Sequence, residues 1–176
     1  MLKIIEVIQD ANAKNCPLPA LALALTLPDI CSQIEYPNEK NVGYRYRNWY
    51  NNHVHKHEEF HCTLNTLNSY DKLNAIHEME TMLHKFNGYA CYKLRCLLLH
   101  QGDAAMTGEI KYDNLYFNIH SGEETRTVSP TKQPDQPIEH LSINSKLLCD
   151  YLCTYAKKYY DEHPNKELFQ KKILHG

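Results

Sequence analysis

The sequence predicts a mainly α fold, a bundle of amphipathic helices with a small β-hairpin insert, organised as a single domain over residues 1–176. Two observations lead to this prediction. Most of the chain repeats apolar residues at the helical period, whereas residues 108–129 read as short strand segments separated by turn residues. A chain of 176 residues is about one domain long and can bury a substantial core without disulfides or a metal.

Six segments carry the helical pattern: residues 3–13, 19–35, 41–53, 70–86, 89–101 and 143–162. The second begins with a proline and is rich in Ala and Leu, so it is predicted to be the buried central helix. Pro28 lies inside it, and Thr26 with Asp29 three residues later could cap a restart. We therefore expect a kink or a break near Leu27.

The remaining segments lack the helical period. Residues 53–69 are polar and rich in histidine, which indicates a loop, and residues 130–137 form a polar connector with three prolines. Between them, Glu109–Tyr112 and Leu115–Ile119 are typical of strands. A further strand-like stretch, Thr125–Val128, follows a Ser-Gly turn.

Composition excludes several classes of function. With 19 basic and 21 acidic residues the net charge is −2, so the chain has no general attraction for nucleic acid, and any RNA contact must be local. No glycine-rich phosphate loop is present. The apolar run Leu18–Leu27 is shorter than the roughly 20 residues of a membrane helix. Because no CxxC pair or secretory leader is visible, the seven cysteines are expected to be reduced and the protein cytoplasmic.

The segment with the most specific chemistry is Arg95-Cys-Leu-Leu-Leu-His100, near the end of an apolar helix and followed by Gly102. Five helical residues advance about 500°, which leaves the two polar side chains some 140° apart. Both can approach one groove only where the last turn frays or tightens, as a glycine permits. Alternatively, Arg95 extends along the apolar surface and His100 caps the helix end.

A second arginine–histidine pair occurs at Arg47 and His53. Short patterns of this kind arise about 0.75 times by chance in a chain of this composition, so the pattern alone is weak. The glycine after the helix and the apolar surroundings favour the Arg95 pair. Arg47 is followed by a polar residue, Asn48, and therefore stays a reserve candidate.

The helix GYACYKLRCLLLHQG resembles the signature helix of the HEPN superfamily, in which an arginine and a histidine four to six residues apart end a bundle helix. The likeness covers residues 18–50 and 88–102 and extends to a set of uncharacterised bacterial proteins. It implies an up-and-down helical bundle that forms a homodimer, with two Arg/His pairs at a shared cleft. It also implies metal-independent cleavage of single-stranded RNA without a cofactor. An antitoxin partner would fit such a ribonuclease, although the sequence identifies none.

In the chemistry that the resemblance implies, a 2′-hydroxyl attacks the adjacent phosphate, His100 exchanges protons and Arg95 holds the phosphate oxygens. Arg45, Tyr46, Tyr92 and Asp29 are the candidate substrate-binding residues, and Asp29 and Glu35 could orient Arg45 or Arg95. The alternative makes Tyr46 and Trp49 core aromatics and Arg45 a solvated partner of Glu35. We favour the core interpretation for Trp49.

One departure from the family leaves a second function open. The residue after the catalytic arginine is usually asparagine, and here it is Cys96. This substitution and the acidic net charge favour a catalytically inactive helical dimer that binds RNA or a partner protein.

A histidine-rich cluster, HVHKHEEFHC, is an alternative candidate site and would bind a metal. His53, His55, His57, His61 and Cys62 lie within ten residues, and alternating histidines share one side of a strand. No distant carboxylate or HExxH pattern completes a ligand set. We therefore expect no functional metal.

Overall fold

A computed structural model describes residues 1–57, 86–100, 109–112, 115–121, 128–130 and 139–171, and for some of these, including His100, it describes the backbone alone. The α-helices in this part of the chain are α1 (Leu2–Ala13), α2 (Pro17–Ala24), α3 (Leu27–Glu35), α4 (Val42–His53), α5 (Gly88–His100), α6 (Ser145–Glu162) and α7 (Glu167–Lys171). A 3₁₀ turn covers His55–His57, and the strands are β1 (Glu109–Tyr112), β2 (Leu115–His120), β3 (Val128–Pro130) and β4 (Glu139–Asn144). The mainly α class with a small β part is confirmed.

Asparagines start three of these helices. The side chain of Asn41 accepts a hydrogen bond from the Tyr44 amide at 3.0 Å, and that of Asn144 accepts one from the Leu147 amide at 3.2 Å. Asn87 does the same for the Ala90 amide at 3.2 Å. Such caps satisfy backbone donors that would otherwise lack partners in the first turn.

The central apolar segment is divided, as expected, but the break lies at residues 25–26, before Pro28. The Thr26 hydroxyl does not cap α3. It donates back to the carbonyl of Leu23 at 2.7 Å and closes the end of α2. Pro28 then occupies the first turn of α3, where a missing amide proton costs nothing.

Pro17–Glu35 is, by length and composition, apolar enough to cross a membrane, and it is the one such stretch among the described residues. About half of it is buried inside the protein. Its two helices pack against α1, α4 and α6. The segment thus forms the centre of the helical core.

The core draws buried side chains from α1 to α6. Its largest fully enclosed side chains among the described residues are aromatic: Trp49, Tyr46, Tyr50, Phe86, Phe117 and Phe169. α4 packs against α3 on one side and against α5 on the other. This arrangement places residues of α3, α4 and α5 around one another, and the candidate site lies there.

The β part is larger than the predicted hairpin over 108–129. β1 and β2 do form an antiparallel hairpin, in which Tyr112 pairs with Leu115. β4, however, pairs in parallel with β2 and antiparallel with β3, which gives a four-stranded sheet in the order β1-β2-β4-β3. The final helix accordingly begins at Ser145, after β4, and the polar connector is followed by a strand.

The predicted helices over 3–13, 41–53, 89–101 and 143–162 agree with the structure to within two residues at each end. The prediction of a helix over 70–86 and most of the predicted histidine loop fall outside the described residues.

Candidate functional site

Two arginines from different helices converge on one carboxylate. Asp29 lies in the first turn of α3, and its Oδ1 is 3.1 Å from Nη2 of Arg45 on α4. Its Oδ2 is 3.4 Å from Nη2 of Arg95 on α5. The three side chains are only 13–19% exposed. Asp29 therefore holds both arginines in place, as the sequence analysis expected of it.

The arginine cluster (Asp29, Arg45 and Arg95) carries a surplus positive charge, because two guanidinium groups share one carboxylate. Arg45 also donates from Nη1 to the carbonyl of Glu39 at 3.4 Å. The Nε atoms of both arginines are buried and have no hydrogen-bond partner among the described residues. Buried donors without partners are costly unless a ligand satisfies them, and arginine donors match the oxygens of a phosphate.

Tyr92 lies beside this cluster and remains partly exposed. The guanidinium carbon of Arg95 is 6.0 Å from the centre of its ring. The ring rests against Gly43 of α4, where a Cβ would come within 3.1 Å of it. Burial, followed by the neighbouring Cys96, raises the pKa of Tyr92. Its hydroxyl thus stays protonated at neutral pH and can donate a hydrogen bond.

Tyr46 is not a substrate-binding residue, which corrects the prediction. Its side chain is completely buried, and its hydroxyl donates to the Leu25 carbonyl at 3.1 Å. Burial also raises the pKa of Tyr46 well above its usual value. Its position on α4 follows that of Arg45 by about 100°, enough to turn it into the core. The core interpretation is confirmed for Tyr46 and also for Trp49, which is fully buried.

His100 is the last residue of α5, five residues beyond Arg95, so its backbone lies about 7.5 Å further along the helix axis. Its side chain lies outside the described part of the structure. The position agrees with the expectation that the histidine stands at a helix end. Gly102 is likewise outside the described residues.

The competing pair, Arg47 and His53, is held differently. Arg47 donates from Nε to the carbonyl of Gly43 in its own helix at 2.9 Å. His53 Nε2 is 2.5 Å from Oε2 of Glu35, and its ring stacks on Trp49 at 5.1 Å between centres. Glu35 is therefore the partner of His53 and does not pair with Arg45. His53 stabilises the junction of α3 and α4.

The histidine cluster is only partly described. No group of three or more potential ligands gathers in the part of the chain that the structure describes. His61 and Cys62, and the side chain of His57, fall outside that part. His53, the first member, already pairs with Glu35.

Sequence reasoning overlooked Tyr89 and Lys93 on α5. Tyr89 is 39% exposed, Lys93 Nζ is 5.2 Å from the centre of its ring, and the guanidinium carbon of Arg47 is 6.0 Å from that centre. The spacing of Tyr89 and Lys93, four residues apart on one helix, could have indicated their contact from the sequence.

Comparison with protein-family models, with curated proteins and with solved structures finds no match to this chain. The resemblance to HEPN domains consequently rests on the sequence pattern alone.

Proposed function

We propose that this protein is a metal-independent endoribonuclease of the HEPN type, which cleaves single-stranded RNA at the end of α5. The observation that carries the proposal is the convergence of Arg45 and Arg95 on Asp29, which leaves a net positive charge and two buried donors without partners among the described residues. An RNA phosphate supplies the negative charge that such a cluster lacks, and its oxygens accept hydrogen bonds from guanidinium groups.

In the proposed reaction Arg95 binds the non-bridging oxygens of the phosphate that follows the attacked nucleotide. His100 accepts the proton of the 2′-hydroxyl as its oxygen attacks phosphorus, and the bond to the 5′-oxygen breaks. Imidazolium then returns a proton to that 5′-oxygen. The products are a 2′,3′-cyclic phosphate and a 5′-hydroxyl, and hydrolysis opens the cyclic phosphate.

Supporting roles follow from the contacts of the neighbouring residues. Arg45 extends the phosphate grip, because it shares the carboxylate of Asp29 with Arg95. Asp29 keeps the two guanidinium groups together, since without it they would repel each other. Tyr92, with a protonated hydroxyl and a partly exposed ring, can contact the sugar or the base.

We further propose that the active form is a cytoplasmic homodimer in which the ends of two α5 helices share one cleft. Leu99, beside the candidate base, is 39% exposed. A second copy would cover it and bring a second Arg/His pair to the cleft.

A catalytically inactive, RNA-binding dimer is the second candidate, and Cys96 favours it. This residue replaces the polar residue that usually follows the arginine in the family. It still interacts with the Tyr92 hydroxyl, so the position keeps a polar contact. The arginine cluster would bind RNA in either case, and only cleavage separates the two candidates.

The test compares cleavage of a labelled single-stranded RNA by wild type, Arg95→Ala and His100→Ala. Each substitution should lower the rate by at least about 10²-fold, the scale for losing a positioned acid, base or phosphate ligand, while the melting temperature changes little. Sedimentation of the same samples at micromolar concentration should show about twice the monomer mass.

His53→Ala is the matched control at the competing pair, because it removes a histidine that holds α3 to α4. It should lower stability but leave the rate of the folded protein within about twofold, a change near measurement error. If His53→Ala stops cleavage below its melting temperature and His100→Ala does not, the site has been misplaced. A strict monomer would remove the shared cleft.

A further inference from the structure

The line of contact between α4 and α5, which we call the seam, has an exposed end that combines an aromatic ring with two cations. Tyr89 stands in the first turn of α5 with 39% of its surface exposed. Arg47 approaches its ring from α4 and Lys93 approaches from the next turn of α5, at 6.0 and 5.2 Å from the ring centre. We refer to Tyr89, Arg47 and Lys93 as the tyrosine platform.

Contacts of this kind are concentrated on one helix. Among the described residues, three of the four contacts between a cation and an aromatic ring involve the tyrosines of α5. Significant contacts of this type occur about once per 70–80 residues in proteins. The chain as a whole carries a net charge of −2, so its composition does not account for a basic, aromatic surface at this place.

The platform adjoins the arginine cluster along the same seam. Tyr89 and Tyr92 are three residues apart on α5, so they are offset by about 60° around the helix and about 4.5 Å along it. Tyr92 rests on Gly43, and Tyr89 faces Arg47 one helical turn further along α4. An extended ligand lying on the seam would meet the tyrosine platform and then Tyr92 and Arg95.

The helices approach closely enough to form one continuous surface because Gly88 lies at their contact. A Cβ at Gly88 would come within 2.4 Å of the Arg47 carbonyl oxygen. The Gly88 amide also donates to the side chain of Asn51 at 2.7 Å. These contacts fix the start of α5, and with it Tyr89, against α4.

We infer that Tyr89 is a stacking platform for a base of single-stranded RNA, with Arg47 and Lys93 binding the flanking phosphates. This inference rests on the proposed function and names how its substrate is held beside the cleavage site. Bases of single-stranded RNA stack on exposed aromatic rings, and cations beside the ring neutralise the backbone.

The test measures binding of a fluorescent 2′-O-methyl RNA, which cannot be cleaved because its 2′-oxygens cannot attack. Tyr89→Ala should weaken the Kd by about tenfold or more, since stacking of one base contributes about 1–3 kcal/mol. Tyr89→Phe keeps the ring and should bind within about twofold of wild type. Arg47→Ala should reduce the dependence of the Kd on salt, because fewer phosphates are neutralised.

Tyr44→Ala is the matched control. Tyr44 belongs to α4 and is 49% exposed, but no cation lies over its ring among the described residues. Its loss should leave the Kd unchanged. Circular dichroism of each variant checks that the fold is retained.

The outcomes separate this inference from the proposed function. If wild type binds the RNA through Tyr89 but cuts no ordinary RNA, the ribonuclease proposal fails and the platform stands. If wild type cuts RNA and Tyr89→Ala binds like wild type, the platform is overturned and the ribonuclease stands. Equal losses in Tyr89→Ala and Tyr44→Ala, or no RNA binding by wild type, also overturn the platform and leave Tyr89 as a protein-contact residue.

Discussion

The two arginine–histidine pairs of this chain have almost the same spacing but different surroundings. On α4, Arg47 donates to its own helix and His53 is fixed by Glu35 and Trp49. On α5, Arg95 meets Asp29 together with a second arginine, and buried donors there lack partners among the described residues. The contacts of its side chains therefore distinguish one copy of a short motif from another.

α3 supplies the carboxylates for both pairs. Asp29 in its first turn contacts two arginines, whereas Glu35 at its end contacts one histidine. The Asp29 pairs are less exposed, at 13–19%, than the Glu35 pair, at 26–29%. We expect the two carboxylates to differ in how much they stabilise the fold.

Asp29→Ala should lower the free energy of unfolding by about 3 kcal/mol, because it leaves two largely buried guanidinium groups facing each other. Glu35→Ala should cost about 1 kcal/mol, since the His53 pair is closer to solvent. Urea denaturation of both variants measures the difference. Equal losses would mean that the arginine cluster is no more enclosed than the histidine pair.

The seam between α4 and α5 offers a second comparison, between its two glycines. Gly88→Ala should destabilise the protein by about 2 kcal/mol, because the added carbon meets the backbone of Arg47 and the helices must separate. Gly43→Ala should stay within about 1 kcal/mol of wild type, since the added carbon meets only the Tyr92 side chain and alanine favours the helix. Thermal denaturation distinguishes them, and a larger loss at Gly43 would contradict this account of the seam.

Sequence patterns located the helices well because the helical period and the capping residues are local properties. Asn41 and the proline of α3 mark their helix starts within a few residues of where they act. The strand β4 was missed, since its parallel pairing with β2 joins residues more than twenty positions apart. Its six residues follow a polar connector and resemble the start of the helix that comes next.

The contacts within the arginine cluster could be predicted only in part, because local patterns do not show how helices pack. Arg95 and Arg45 were singled out separately, but their convergence on Asp29 depends on how α3, α4 and α5 pack, which no local pattern encodes. Tyr46 adjoins Arg45 in the sequence, and only the packing shows that one faces the core and the other the site. Tyr89 was not predicted as a site residue, because Arg47, the second cation near its ring, comes from another helix.

The most direct test of the central claim is the chemistry of the cut ends when wild type acts on single-stranded RNA in the presence of EDTA. The proposed reaction predicts an undiminished rate and fragments that end in a 2′,3′-cyclic phosphate or its hydrolysed form, because in that reaction the arginines and His100 act without a metal. Loss of cleavage in EDTA that one equivalent of zinc restores, or fragments that end in a 3′-hydroxyl, would contradict it and point to the histidine-rich segment as the site.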